Sequence, residues 1–493
     1  ERMKEINARL SELQQKFGDN ILSANNAFDL VVSEPEEIAG LPEAALEGAK
    51  GEDGKYHFHL TNASYTAFMT FADNRDLREK MFRAYSNRCN GDEFDNNRNI
   101  LEIMALRVEK AHLLGFETPA QMILTNTMAG TPDAVDTFLE SIMKPAVKVA
   151  KEEIAKMQEL SSEKIQPWDL FYYAEKIRQR DYALSEDDTK PYFKMENVRN
   201  GVFATASKLY GISFEPVENA PKYYPEVEAF KVVDSDGSLL GIILTDYYPR
   251  ATKRGGAWMT EFAQACGYEG LRPVIVNVGN FTKPTATKPS LLTIDEVSTM
   301  FHEFGHALHG LLTKTTYRSD AGTSVKRDFV ELPSQFNENW AFQKEVLSTY
   351  AFHYETGEVI PDELVEKIKA SSNFFQGFAT TELTAASILD MKWHEISEAP
   401  KYENVSAEEA KAFVEAFEAN AMTEAGLICE IIPRYRSTYF NHIFNNGYSA
   451  GYYSYLWAEV LDKDAFEVFK QKGIFDQESA QSFRNNILEK VSS

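Results

Sequence analysis

Apolar residues in the opening stretch recur with a helical period: Met3, Ile6, Leu10, Leu13 and Phe17 follow one another at alternating steps of three and four. Such a stripe predicts a helix of several turns with one buried face. The same period runs through residues 74–86, 131–160, 198–209, 295–312, 338–356, 361–372 and 407–419, several opened by Ser, Thr, Asp or Asn suited to capping a first turn. Most of the chain therefore reads as α. The rhythm shortens to two between Val227 and Thr245 (VEAFKVVDSDGSLLGIILT), where alternation around Asp236-Gly237 predicts a β-hairpin. A β-branched run at residues 273–280 (PVIVNVGN) follows a flexible RGGAW turn and leads toward the 295–312 helix. Val274 to Val278 fits either a sheet edge, able to pair with a peptide backbone, or an ordinary core strand.

Length and composition narrow the class without choosing a function. A chain of 493 residues, 43% hydrophobic, can bury a core as one large helical domain or as two or three ordinary ones. It contains no apolar run of bilayer length, and its first twenty residues are too charged for a secretory leader, so it reads as soluble. A formal net charge of -24 argues against phosphate backbones and anionic membranes as partners. A solvated acidic surface accounts for that charge, with a leaning toward cationic ligands as the alternative. Cys89, Cys266 and Cys429 are odd in number and far apart, which suits reduced core thiols better than a disulfide framework or a cysteine metal site. No repeat, low-complexity tract or Gly/Ser linker marks a sharp domain boundary.

Three of the nine histidines lie in FHEFGHALHG, residues 301–310. His302 and His306 are one helical turn apart and can reach one ion, while Glu303 points to the side. A zinc ion so held lowers the pKa of its water to about 7, and a neighbouring glutamate can take the proton as the water attacks a carbonyl. An isolated HExxH also occurs in proteins that bind no metal, so a third ligand is needed. Glu331, in DFVELPSQFNENW, lies twenty-five residues beyond His306. That interval leaves room for the helix to end, a Gly-containing reversal at residues 321–324, and a second helix that brings a carboxylate alongside. His309 reads as a neighbouring hydrogen-bonding group rather than a ligand.

These residues, with GTSVKRDFVELPSQFNENW, NFTKPTATKPSLLTIDEVSTM, PWDLFYYAEKIRQRDYAL and YFNHIFNNGYSAGYYSYLWAEVL, resemble the thimet-oligopeptidase family of zinc metallopeptidases along essentially the whole chain. RDFVELPSQFNENW, HYETGEVIPDELVEKI and PRYRSTYF are most similar to bacterial peptidyl-dipeptidases, also called dipeptidyl carboxypeptidases. The resemblance implies a mainly α fold: a large helical ellipsoid with a deep substrate channel and a small antiparallel β-sheet beside the HExxH helix. It implies a division into residues 1–135, part of a channel wall, and residues 136–493, the catalytic domain.

It also implies one Zn2+ held by His302, His306 and Glu331, with Glu303 as general base. His442 and Tyr448 become the donors to the transition-state oxygen, with Tyr455 supporting them or binding substrate. The expected reaction releases C-terminal dipeptides from short unfolded peptides, with an endo-acting oligopeptidase or an inactive peptide-binding fragment as alternatives. Tyr448, Tyr452 and Tyr455, spaced by four and three, are expected on one helical face, with Tyr453 and Trp457 as packing. Arg434 and Arg436 are candidates for holding a free carboxylate. The expected protein is a monomer that binds neither nucleic acid nor membrane. It is cytoplasmic, or periplasmic if a leader precedes Glu1, and the resemblance extends beyond both ends of this sequence.

Overall fold

Most of the predicted helical stripes form helices, and several of these start at a side-chain cap. The computed structural model describes residues 1–490. The principal helices are α1 (Arg2–Ala27), α2 (Asn97–Leu113), α3 (Pro132–Gln158), α4 (Met195–Tyr210), α5 (Ile294–Leu312), α6 (Leu332–Glu338), α7 (Gln376–His394), α8 (Ala407–Glu424) and α9 (Ser454–Lys472). The first stripe is buried as its spacing predicts, with Ile6, Leu10, Leu13 and Phe17 all inside. Thr131 accepts the Ala134 N–H ahead of Pro132 to open α3, and Thr293 forms a capping box with Glu296 to open α5. The segment 338–356 is not the single helix its pattern predicts. α6 ends at Glu338, where the Asn339 side chain donates to the Gln335 and Phe336 carbonyls, and a separate helix runs Lys344–Tyr350.

The strands among the described residues are β1 (Leu30–Val32), β2 (Tyr56–Phe58), β3 (Ser213–Pro216), β4 (Glu228–Val233), β5 (Leu239–Asp246), β6 (Trp258–Ala263) and β7 (Val274–Val278). β1 and β2 pair antiparallel. The predicted hairpin is β4–β5, turning at Gly237 with φ +84, a left-handed conformation that favours glycine. The larger sheet has the order β3-β4-β5-β7-β6, and β5 and β7 run parallel, so it is mixed rather than purely antiparallel. β7 is an interior strand with partners on both sides, and β6 forms the edge. The RGGAW turn leads into that edge strand, whose side chains are half-buried or exposed throughout.

The fold is mainly α, and it divides into two compact units. One comprises Glu1–Asp181 and Asn373–Tyr453, and the other Tyr182–Ser372 and Ser454–Ser493, of which residues 491–493 lie outside the described chain. A cut at 135/136 follows chain order, whereas each unit is assembled from two stretches. In the first unit α3 lies along α7, and Arg75 and Arg78 converge on the buried carboxylate of Asp169. In the second, α5 packs across β5, β6 and β7. Phe301, Phe304, Leu308 and Leu311 of α5 enter one core with Ile243, Ile275, Phe336 and Trp340. Burying that face of α5 fixes the rotation of the helix, and so the direction in which its histidines point.

Candidate metal centre

The two rigid parents of the centre are α5 and the turn that starts α6. Gly305 lets them meet: a Cβ there would stand 2.5 Å from the Pro333 carbonyl oxygen and 2.5 Å from Ser334 Cα. A second close approach follows one turn later, where Gly322, with φ +49, brings the reversal against Gly310. The backbone then delivers Glu331 at the N-cap of α6. Two amides pin the motif helix further. Asn337 donates to the Phe301 carbonyl at 2.7 Å, and Asn277, inside β7, donates to the Glu303 carbonyl at 2.8 Å.

The result is a convergence of three donor atoms. His302 Nε2 and His306 Nε2 stand 3.2 and 3.1 Å from Glu331 Oε2, and the ligand atoms of all three residues lie within 4.8 Å of one another. Ligand atoms about 2.0–2.2 Å from a tetrahedral ion are roughly 3.3–3.6 Å apart, so the His2Glu spacing is close to that needed for one zinc-sized cation. Among the described residues no other such group of His, Cys, Asp and Glu occurs. Burial alone would push the Glu331 carboxyl up, but His306 and His302 outweigh it and hold it well below its usual range. Burial opposes charge on His302 as well, and there Glu331 and Glu338 prevail and hold the ring well above its usual range.

Glu338 is a member of the site that the sequence reading missed. Its Oε1 meets His302 Nδ1 at 2.6 Å, fixing the ring so that Nε2 faces the convergence, and Ser298 Oγ donates to its Oε2 at 3.2 Å. The signal was the spacing: seven residues past Glu331, two helical turns along the same face. Glu303 is buried beside the two ligands, and burial pushes its carboxyl up while His302 and His306 pull it down. Its Oε2 meets no hydrogen-bond partner among the described residues, which leaves an acceptor in the site.

His309 is a correction. Burial and the neighbouring His306 push its ring down to about 3, so it is neutral, and neither ring nitrogen finds a hydrogen-bond partner among the described residues. It lies outside the convergence because Glu331 supplies the third donor.

Tyr455 belongs to the same unit as the metal group. It sits in the first turn of α9, and its carbonyl accepts from Gln335 of α6 at 2.9 Å. His442 and Tyr448 belong to the other unit, where their ring centroids are 5.5 Å apart. The expected single helical face of tyrosines does not form: residues 445–453 are turns, and α9 begins only at Ser454. Gly447 and Gly451 explain the break, since glycine disfavours a helix interior. Tyr452 is a core residue, packed on His442 and Phe440 at 5.1 and 4.9 Å, and Tyr453 is likewise buried. Arg436 is engaged by Glu418, Ser86 and Asn87, whereas Arg434 is half-exposed beside Glu382.

The chain matches the sequence profile described as "Peptidase family M3" over residues 68–493. It is 38% identical to the dipeptidyl carboxypeptidase of Escherichia coli (strain K12), an alignment covering 100% of this chain and 73% of that protein. It is also 38% identical to oligopeptidase A of the same strain, over 99% of this chain and 73% of that protein. A thimet-like oligopeptidase of Dictyostelium discoideum is 30% identical over 99% of this chain and 74% of its own length. With its two histidines, the carboxylate that makes the third donor and this breadth of similarity taken together, the chain belongs to peptidase family M3.

Proposed function

We propose that this protein is a zinc peptidase that removes dipeptides from the free C-termini of short, unfolded peptides. The observation that carries the reading is the meeting of His302 Nε2, His306 Nε2 and Glu331 Oε2 around one point, with an acceptor oxygen of Glu303 beside them. These three side chains would hold the ion, which when bound polarises a carbonyl and supplies an activated water. Glu303 takes the proton of the attacking water and passes it to the leaving amine, a role suited to a buried carboxylate whose basicity burial has raised. Glu338 keeps the His302 ring in one orientation throughout.

The family resemblance supplies the remaining roles. His442 and Tyr448 donate to the scissile oxygen as charge develops on it, and Tyr455 supports them or contacts substrate. Arg434, half-exposed beside Glu382, is the candidate for holding the terminal carboxylate. β7 has strand partners on both sides, so Val274 to Val278 offers no edge for a peptide backbone. No helix among the described residues is long and apolar enough to cross a membrane. In this reading, which follows the family resemblance, the protein acts as a monomer in the cytoplasm, or in the periplasm if a leader precedes Glu1.

Equal identity to an oligopeptidase A favours a second reading, in which the same centre cuts within peptides. Mass spectrometry of products from one peptide with a free and with an amidated C-terminus separates the two. Dipeptide release from the free form alone is expected, and equal cleavage of both forms would establish the internal cutter. Metal analysis of the same sample should find one zinc per chain. Glu303→Gln should retain that zinc and lose turnover by about a hundredfold or more; near-normal kcat would show that the base lies elsewhere.

A further inference from the structure

The segment that carries His442 and Tyr448 is tied at both ends to one buried chain of polar side chains in its own unit. At its far end, Ala450 adopts a left-handed conformation with φ +48, which turns successive backbone N–H groups to the same side. The carboxylate of Asp390, on α7, receives all of them. Oδ1 accepts from the Ala450 N–H at 2.8 Å, and Oδ2 accepts from Gly451 and Tyr452, each at 2.9 Å. At its near end, Arg107 of α2 donates to the carbonyl of Ile443, the residue after His442, at 2.8 Å.

His394 joins the two ends. One arginine N–H points at its Nε2 at 2.8 Å, so that nitrogen is the acceptor and the proton sits on Nδ1. Nδ1 in turn lies 2.8 Å from both the carbonyl and the Oδ1 of Asp390. A buried arginine and a buried aspartate are thus bridged by a neutral imidazole, and Asp390 and His394 are fully enclosed. Between the two anchors only the exposed turn at Asn446 and Gly447 is left outside. Within it the Tyr448 N–H closes back on the His442 carbonyl at 3.1 Å, so the two functional rings share one short, doubly anchored segment.

We propose that Asp390, acting with His394 and Arg107, is the positioning residue for Tyr448 and His442, fixing where their donor groups stand when the transition state forms. The proposal rests on the reading of Tyr448 as a transition-state donor. None of the three side chains is assigned contact with the substrate. Their effect is on kcat, because an aligned donor acts where charge develops and contributes little to ground-state binding.

The test is a double-mutant cycle on the full chain with a short peptide substrate. Asp390→Asn keeps the size of the side chain but turns one oxygen into an amino group facing backbone donors. It is expected to lower kcat at least about tenfold with KM changed less than about threefold. In a Tyr448→Phe background the same substitution should cost clearly less kcat than in the unmodified chain, because one of the two donors being positioned is already gone and only His442 is left to misplace. An equal loss in both backgrounds, or an effect confined to KM, would overturn the positioning role. A normal kcat for Tyr448→Phe alone would overturn the donor reading itself, and the proposal with it. If Asp390→Asn does not fold, Arg107→Met goes through the same cycle with the same criteria, since methionine keeps much of the side-chain volume but donates to neither His394 nor Ile443.

Discussion

His302 shows how much of a metal ligand lies outside the ligand itself. Its ring is fixed by Glu338 on one nitrogen so that the other is free to face the convergence with Glu331. Without that carboxylate the imidazole can rotate or change tautomer, and the ion must hold the ring in place at the expense of binding. Glu338→Ala should therefore weaken zinc affinity about 10- to 100-fold. Competition against a fluorescent chelator measures this directly, and an unchanged affinity would show that Glu338 is incidental to the site. His306 differs, since its Nδ1 has no such partner among the described residues. Its orientation comes from burial in α5, which suggests why the two ligands should not respond alike to changes around them.

Between elements, the deciding contact is the one at Gly305. Any Cβ there enters the space of Pro333 and Ser334, backbone atoms that cannot give way as a flexible side chain would. Gly305→Ala should push α5 from the start of α6 and cost about 1–3 kcal/mol of stability. Zinc should be lost along with it, because Glu331 sits at that start. Urea denaturation with parallel metal analysis reads both, and a variant with normal stability and metal content would remove the close approach from the account. HEFGH announced the centre because its chemistry is written at a helical spacing within one element. Glu331 was legible from the length of the intervening loop. Glu338 was not, because a carboxylate two turns along reads equally well as a solvated surface charge. α2 and α7 escaped the pattern reading because buried positions lie on nearly every side of them, which removes the contrast a stripe needs. The turn before α9 was misread for the opposite reason, since tyrosines spaced by four and three imitate a helical face that two glycines interrupt.

For the molecule as a whole, buried carboxyls set opposing responses to pH. Burial pushes Glu296 up to about 7, against the hydrogen bonds it receives from Thr293 and Thr282. Burial and a hydrogen bond with Asp136 push Glu395 up to about 8. Both lie above the ordinary value of 4.5, so the folded chain retains protons that the unfolded chain releases. Their contribution is complete below about pH 4.5 and is lost as the pH rises through 7 to 8. Asp169 and Asp246 act in the other direction. Burial would raise them, but Arg75 and Arg78 hold the first, and Arg250, Tyr223 and Lys253 hold the second, below the ordinary 3.8. Their contribution is present above that value and is lost as the pH falls below it. The net charge of -24 adds self-repulsion on the alkaline side. Tm is expected to peak near pH 5 to 6 and to decline by pH 8, with Glu296→Gln flattening the decline. A Tm that climbs steadily from pH 5 to pH 8 would contradict these assignments.

The edge strand β6 has a consequence for how the protein behaves in company. Its pairing with β7 slips between Glu261 and Ala263, which leaves Phe262 as an extra residue turned out of the ladder, exposed and resting on Tyr223. A regular open edge is a template on which a second copy can lay its own strand and begin an aggregate. Here the spacing of amide and carbonyl groups is broken partway along, and Glu261 places a carboxyl beside the break. The irregularity acts as a guard, because a neighbouring chain that begins to hydrogen-bond along β6 loses register before it has gained a stable hold.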